Sequence, residues 1–327
     1  MQQQANPMKR RNFCQLLPAA VLLPLPAPAA EPYPNRPITL VVPFGPGLST
    51  DAIARYYAEE MGKLIGQPIV VDNRAGAQGS VGSQMVARAA PDGYTLVFAS
   101  NGSHAGNVAL FKKLAYDPVK DFAPIGPISA APWALTVRPD FPARDLPEFL
   151  RYAAANPGAV SVAHGSASSQ ACVALLETKG GVDVNDIPYK SLQPAMFDME
   201  AKRLDASFLP LGISIVAHKS GKLRVLAISA GKRSQLAPDI PAIAEVLPGY
   251  ELVSWVGLMA PAGTPPEVIR RLHAALTQVS AKPETRDKLT FFGHDAMAME
   301  PDRFGQLVVA DIGRWRQLVQ DAHIEQQ

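Results

Sequence analysis

The sequence predicts an α/β fold organised as two lobes, and three observations carry that reading. Apolar runs of four to six residues alternate with segments of helical period from Ile38 onward, and the alternation restarts after Pro132. The third is size: 327 residues with 47% hydrophobic content exceed what one small core needs and suit one large α/β domain or two lobes. Strand, helix, strand, helix, strand in succession predicts a parallel sheet covered on both faces.

The chain begins with a separate problem. "MKRRNFCQLLPAAVLLPLPAPAA" opens with Lys9, Arg10 and Arg11, continues with a short apolar stretch and ends in Ala27, Pro28 and Ala29. That is the layout of an export signal. Pro18, Pro24 and Pro26 leave its apolar part too short and too interrupted to span a bilayer as a helix. Residues 1–30 are therefore assigned to an export signal, of either the general secretory or the twin-arginine type, and the mature protein to the periplasm. Cys14 follows Phe13 and not the small residues that a lipoprotein signal needs.

Removing the three basic residues of the signal from the 31 Lys and Arg leaves 28 against 29 Asp and Glu, a nearly neutral mature chain. No electrostatic footprint for nucleic acid is present. Only Cys172 would remain after cleavage, so no intramolecular disulfide is available in the oxidising compartment and stability has to come from the core.

Each element follows in order. "ITLVV" reads as a strand, and Ile53, Tyr57, Met61 and Leu64 place one apolar face on the helix after it. Then come a strand "PIVV", a helix "SQMVARAA" and a strand "YTLVFAS". The pattern restarts with "WALTV", a helix from Asp145 to Asn156 stopped by Pro157 and Gly158, a strand "VSVA", a helix near Val173 to Thr178 and a strand "DASFL". A helix between Gly212 and Ser220 leads into "LRVLAIS". The last third reads as helical, with Val268, Leu272, Ala275 and Val279 on one face and Phe304, Leu307, Val308, Ile312 and Trp315 on another.

"VVPFGPGLSTD" places a Pro-Gly turn at the carboxyl end of the first strand, where open α/β sheets bind ligands. Phe44, Gly45, Gly47, Leu48, Ser49, Thr50 and Asp51 are its candidate residues. Gly45 and Gly47 allow close backbone approach, and the first-turn amides of the helix suit an anion. Alone, such a turn is more often structural, with Ser49 or Thr50 capping the helix while Asp51 complements its dipole. It lacks the endings of a P-loop or a dinucleotide fingerprint, so nucleotide binding is not supported. Two further polar turns follow strands: Ser100, Asn101, Ser103, His104 and Asn107 after the third, and Gly165, Ser166, Ala167, Ser168 and Ser169 in the second lobe. Three such turns together read as one site between two lobes.

"YPNRPITLVVPFGPGLSTD", "GQPIVVDNRAGAQGSVGSQMVARAAPDGYTL", "KLAYDPVKDFAPIG", "IPYK" and "WVGLMAPAGTP" resemble, in order and spacing, the periplasmic receptors of tripartite tricarboxylate transporters, the Bug receptors. The resemblance runs from about Tyr33 to the C-terminus. It implies a two-lobed periplasmic-binding-protein fold (Venus flytrap, type II) that captures a small organic acid and delivers it to an integral-membrane permease. On this reading the lobes comprise 31–131 with 253–327, and 132–252, and the protein is a monomer without metal or cofactor. The resemblance places the ligand carboxylate between the turns Gly45 to Thr50 and Gly165 to Ser169, with Tyr189 of "IPYK" beside them. Presentation of the bound acid to a sensor kinase is the alternative role.

The sequence departs from the family pattern where ligand choice is decided. Leu48 and Ser49 replace a glycine-rich continuation of the first turn, and Ser191, Leu192 and Gln193 replace a glycine turn after "PYK". Leu209 stands where the family often has an Asp, and Cys172 roughly where many members carry a His. The carboxylate frame is kept while its far end becomes more apolar.

A secreted hydrolase is the competing class. Ser229, Ala230, Gly231 and Lys232 match S-x-x-K, without the companion "KTG". Cys172 beside His164 would be a second nucleophile, although a lone Cys opening an apolar helical segment is more simply a small core residue. The six histidines show no paired ligand spacing, so no metal site is expected.

Overall fold

The computed structural model describes Gln2, 33–47, 49–189, 192–321, Ile324 and Gln326. The segment read from sequence as an export signal, apart from Gln2, lies outside the described residues, together with Leu48, Ser191 and the side chain of Ala167. No described helix is long and apolar enough to cross a membrane.

Strand β1 (Ile38–Val42) leads through the Pro-Gly turn into α1 (Ser49–Ile65), followed by β2 (Ile69–Asn73), a 3-10 turn (Ala77–Gly79) and α2 (Ser80–Ala87). Next come β3 (Thr95–Ser100), a π-helical turn (Gly102–Gly106), α3 (Asn107–Leu110) and the long β4 (Phe122–Val137). The chain continues through α4 (Leu146–Ala155), β5 (Ser161–His164), α5 (Ala167–Gly180), β6 (Asn185–Pro188), α6 (Leu192–Glu200), β7 (Ala206–Pro210), α7 (Leu211–Lys219) and β8 (Arg224–Ile228). It closes with β9 (Val253–Pro261), α8 (Pro266–Ala281), α9 (Pro283–Phe291), β10 (Asp295–Ala296) and α10 (Pro301–Asp321).

The sheets are mixed, which corrects the purely parallel expectation. β1 pairs in parallel with β2 and β3, and β5 does so with β6 and β7. β9, in a region read from sequence as helical, pairs antiparallel with both β3 and β4 and is buried from Trp255 through Pro261. Gly257 explains its place at the centre: a Cβ there would lie 2.6 Å from the Phe304 ring and 2.8 Å from the Gly126 carbonyl.

The second correction concerns β4. "WALTV" is only its end; the strand starts at Phe122 and runs through Pro124, Pro127 and Pro132. Proline donates no ladder hydrogen bond and is tolerated at bulges. The register against β9 shifts between Pro124 and Gly126 and again between Pro127 and Ser129. Up to Pro132 this strand pairs with β9; from Trp133 it pairs with β7 and β8.

Helix α1 packs, with α8, on one face of the first sheet. Its buried stripe is Ile53, Ala54, Tyr57, Ala58, Met61 and Ile65, while Leu64 stays 43% exposed. Ile65, not Leu64, closes the buried stripe, and the alanines Ala54 and Ala58 lie within it. The faces expected on α8 and α10 are buried, except that Leu307 is only half-buried. Each large aliphatic or aromatic side chain fully buried this way contributes roughly 1.5–3 kcal/mol.

Candidate functional site

The pairing registers place the candidate turns. β3 runs antiparallel to β9 and therefore parallel to β4, so the carboxyl ends of β1 and β3 point along β4 toward Pro132. β7 runs antiparallel to β4 from Val137 to Trp133, and β5 runs parallel to β7. The carboxyl ends of β5 and β7 thus point back toward the same crossing, and helices α1 and α5 follow β1 and β5. The first amide groups of both helices lack intrahelical acceptors.

The first turn is clamped from outside. Asp51, 5% exposed, accepts from the Gly47 amide (3.1 Å), Arg55 Nε (3.0 Å) and Asn73 Nδ2 (2.9 Å). Asn73 also donates to the Phe44 carbonyl (3.1 Å) and accepts from Arg55 at 2.7 Å. Burial raises the Asp51 pKa, and the three donors outweigh it, leaving the carboxyl below its ordinary 3.8. Beyond complementing the helix dipole, Asp51 braces the turn from Phe44 to Gly47. Gly47 has φ of +86°, a conformation costly for any side chain, and its amide is committed to Asp51. Gly45 and Thr50 are half-buried, while Gly47 and Ser49 are exposed.

The second turn is largely interior. Ser100 and Ser103 share a hydrogen bond at 3.1 Å, and Asn101 Nδ2 donates to the Val253 carbonyl at 3.3 Å, where the chain enters β9. His104 is wholly buried, edge-on to Phe122 with centroids 4.7 Å apart, and its Nδ1 lies 2.9 Å from Ser103 Oγ. Burial lowers its pKa to about 3, so the imidazole is neutral and offers no cation to an anionic ligand. Asn107 donates to the Gln78 carbonyl (3.1 Å) and Ser80 Oγ (3.0 Å), and Tyr116 donates to the Ser103 carbonyl. Among the described residues His104 Nε2 and Asn107 Oδ1 are the buried side-chain atoms left without a hydrogen-bond partner. Gly79, at φ +89°, joins the first two turns: a Cβ there would lie 3.2 Å from Ser103 Cβ and 3.5 Å from the Phe44 ring.

The third turn opens α5 six residues earlier than the apolar pattern indicates, because Ser166 and Ser169 form a capping box. Ser169 Oγ accepts from the amides of Gly165 (3.1 Å) and Ser166 (3.0 Å), and Ser166 Oγ accepts from the Ser169 amide. Ser166 is exposed, Gly165 and Ser168 are half-buried, and Ser169 is buried. His164 ends β5 with Nδ1 2.6 Å from Asp186, and its carbonyl accepts from the Tyr189 amide. The Tyr189 hydroxyl donates to Asp198 at 2.7 Å. Leu209, 1% exposed, packs with Ala163, Ala195 and Met199, against which Tyr189 and Leu192 lie half-buried.

Phe44, Gly79 and Ser103 are therefore brought together directly. The third turn is related to the first two by the direction of its strand alone. Sequence reasoning passed over Arg55 and Asn73; the i,i+4 spacing of Asp51 and Arg55 and the "VDNR" segment were the available signals.

Neither hydrolase candidate has a free nucleophile. Ser229 Oγ, fully buried, donates to the Leu252 carbonyl (2.6 Å) and accepts from the Trp133 amide (2.9 Å). Cys172 is fully buried, which pushes its thiol pKa well up. No cluster of three or more potential metal ligands occurs among the described residues.

Residues 53–324 match the Tripartite tricarboxylate transporter family receptor. BugT of Bordetella pertussis is 32% identical over 297 residues, covering 90% of this chain and 91% of that protein. MatC from Rhodopseudomonas palustris with bound malate is 36% identical with a TM-score of 0.73, covering 88% of this chain and all (100%) of that one. A second R. palustris structure, with adipate, is 31% identical with a TM-score of 0.79, over 90% of this chain and 100% of the other. The chain thus has the two-lobed fold of periplasmic binding proteins and belongs to the tripartite tricarboxylate transporter receptor family, the Bug receptors.

Proposed function

We propose that this protein captures a small carboxylate with an uncharged, partly apolar body between the turns that follow β1 and β3 and the turn that follows β5. It then presents the acid to the membrane subunits of a tripartite transporter. The two lobes are 31–131 with 253–327, and 132–252, and the exported protein works in the periplasm as a monomer that binds without chemical turnover.

The observation that carries this reading is that the carboxyl ends of β1, β3, β5 and β7 all point toward the Pro132–Trp133 crossing, with α1 following β1 and α5 following β5. Adipate and malate, held by two relatives of the same fold, are acids of this class. The hydroxyl of Ser229 and the thiol of Cys172 are both committed to the interior, which supports a binding protein over a hydrolase.

The test is a thermal-shift panel of adipate, malate, benzoate, aspartate and glutamate, followed by calorimetry. Stabilisation by adipate, malate or benzoate is expected. Stabilisation by aspartate or glutamate alone would overturn the proposed ligand class.

A further inference from the structure

We propose that Gln78 is a ligand-contacting residue of the cleft, its side-chain amide hydrogen-bonding an oxygen of the bound acid. The inference rests on the cleft reading above.

The segment that carries Gln78 runs from Asn73, the clamp of the first turn, to the start of α2 at Ser80. Four consecutive residues in it have positive φ: Gly76 at +141°, Ala77 at +42°, Gln78 at +53° and Gly79 at +89°. Glycine adopts such angles without steric cost, whereas the Cβ of any other residue crowds the following carbonyl oxygen. Ala77 and Gln78 are thus unfavourable choices, and among the other described non-glycine residues only Lys202 has a positive φ.

Gln78 lies where the first two turns meet. β2 is parallel to β1, so the segment leaves the sheet at the same end as the Pro-Gly turn. A Cβ on the next residue, Gly79, would lie 3.5 Å from the Phe44 ring and 3.2 Å from Ser103 Cβ. The Gln78 carbonyl accepts from Asn107 Nδ2 at 3.1 Å, and the same nitrogen donates to Ser80 Oγ at 3.0 Å. Asn107 therefore grips the chain on both sides of Gly79.

That grip has a cost. Asn107 is 1% exposed, and with its nitrogen turned to Gln78 and Ser80 its Oδ1 has no hydrogen-bond partner. An unpaired buried acceptor is destabilising, and so is a left-handed residue other than glycine. Both unfavourable features converge on one residue. Its side chain is exposed and hydrogen-bonds no other described residue, so no contact of that side chain offsets them. Strain held by the surrounding structure at the edge of a binding site is the mark of a pre-organised contact. The amide that is held here offers N–H donors to a carboxylate or hydroxyl oxygen without adding a charge.

Two variants of the full mature protein test this. Gln78→Gly accepts the left-handed backbone and removes the amide. In calorimetry with adipate and malate it should bind about tenfold more weakly, 1.4 kcal/mol, while its thermal unfolding midpoint, measured without ligand, rises above the parental one. Ala77→Gly relaxes the same segment but keeps the amide, and it should bind like the parent. Parental affinity of Gln78→Gly overturns the inference. An equal loss in Ala77→Gly overturns it too, because the stiffness of the segment would then account for the effect. A lowered midpoint of Gln78→Gly shows that the side chain serves the fold, and it overturns the inference even where the parent binds neither acid. Failure of the parent to bind either acid counts against the proposed ligand class instead.

Discussion

His104 gives the protein an acid-sensitive term whose size follows from its surroundings. The imidazole is wholly buried beside Phe122 and Tyr116, and burial lowers its pKa from 6.5 to about 3. Between those values the unfolded chain holds a proton that the folded chain rejects. The stability involved is therefore fully present above pH 6.5 and is lost as pH falls through the window toward 3. Integrating across pH 7 to pH 5 gives a loss of about 2 kcal/mol from this residue. His294, lowered to about 4 by burial, contributes a similar slope, so only the difference between parent and variant isolates His104. Urea unfolding of the parent and of His104→Gln at pH 7, 6 and 5 makes the comparison. The parent should lose about 2 kcal/mol more than the variant over that range. Equal losses would refute the argument, as would an imidazole resonance that titrates near pH 6 in the folded protein.

Two further outcomes follow from the hydrogen-bond networks. Asn73→Ala removes the donors to the Phe44 carbonyl and to Asp51, and it should weaken carboxylate binding by about 1–2 kcal/mol while the helical circular dichroism stays unchanged. Calorimetry on the folded variant decides, and parental affinity would mean that the clamp does not position the turn. Ser229→Ala leaves a buried amide and a buried carbonyl without their hydroxyl partner, and it should lower stability by about 2 kcal/mol in denaturant titration.

Much of the fold was legible because a buried parallel strand announces itself as a short apolar run and an amphipathic helix as a 3.6-residue stripe. β1, α1, β3, α8 and α10 are of this kind. β9 was hidden because a strand buried along most of its length has no alternation, and Gly257 in its middle reads as a breaker although packing against Phe304 requires it. β4 was hidden by prolines that in isolation end strands: Pro124 and Pro127 sit beside bulges, and Pro132 sits where the strand changes partners from β9 to β7 and β8. The start of α5 was masked in a different way: the apolar pattern begins late, and the Ser166 and Ser169 signal belongs to the cap. The glycine turn was legible as a position but not as a mechanism. Its shape depends on Asn73, whose relation to Asp51 becomes visible only when β2 lies beside β1.

The same networks bear on which acid the cleft accepts. An amino acid would bring an ammonium group, and a buried ammonium needs a carboxylate partner to offset its desolvation. Three carboxylates are tied to the candidate residues, and each is already engaged. Asp51 is held by Gly47, Arg55 and Asn73; Asp186 lies 2.6 Å from His164 Nδ1; Asp198 accepts from Tyr189 and from Arg203. Leu209, where a fourth is common in the family, is buried among Ala163, Ala195 and Met199 and has no charge to give. Freeing Asp51 for an ammonium would release Gly47 and loosen the turn that is to hold the ligand carboxylate. The two ends of an amino acid would thus compete for one structural element, whereas an acid with an uncharged body leaves the clamp intact.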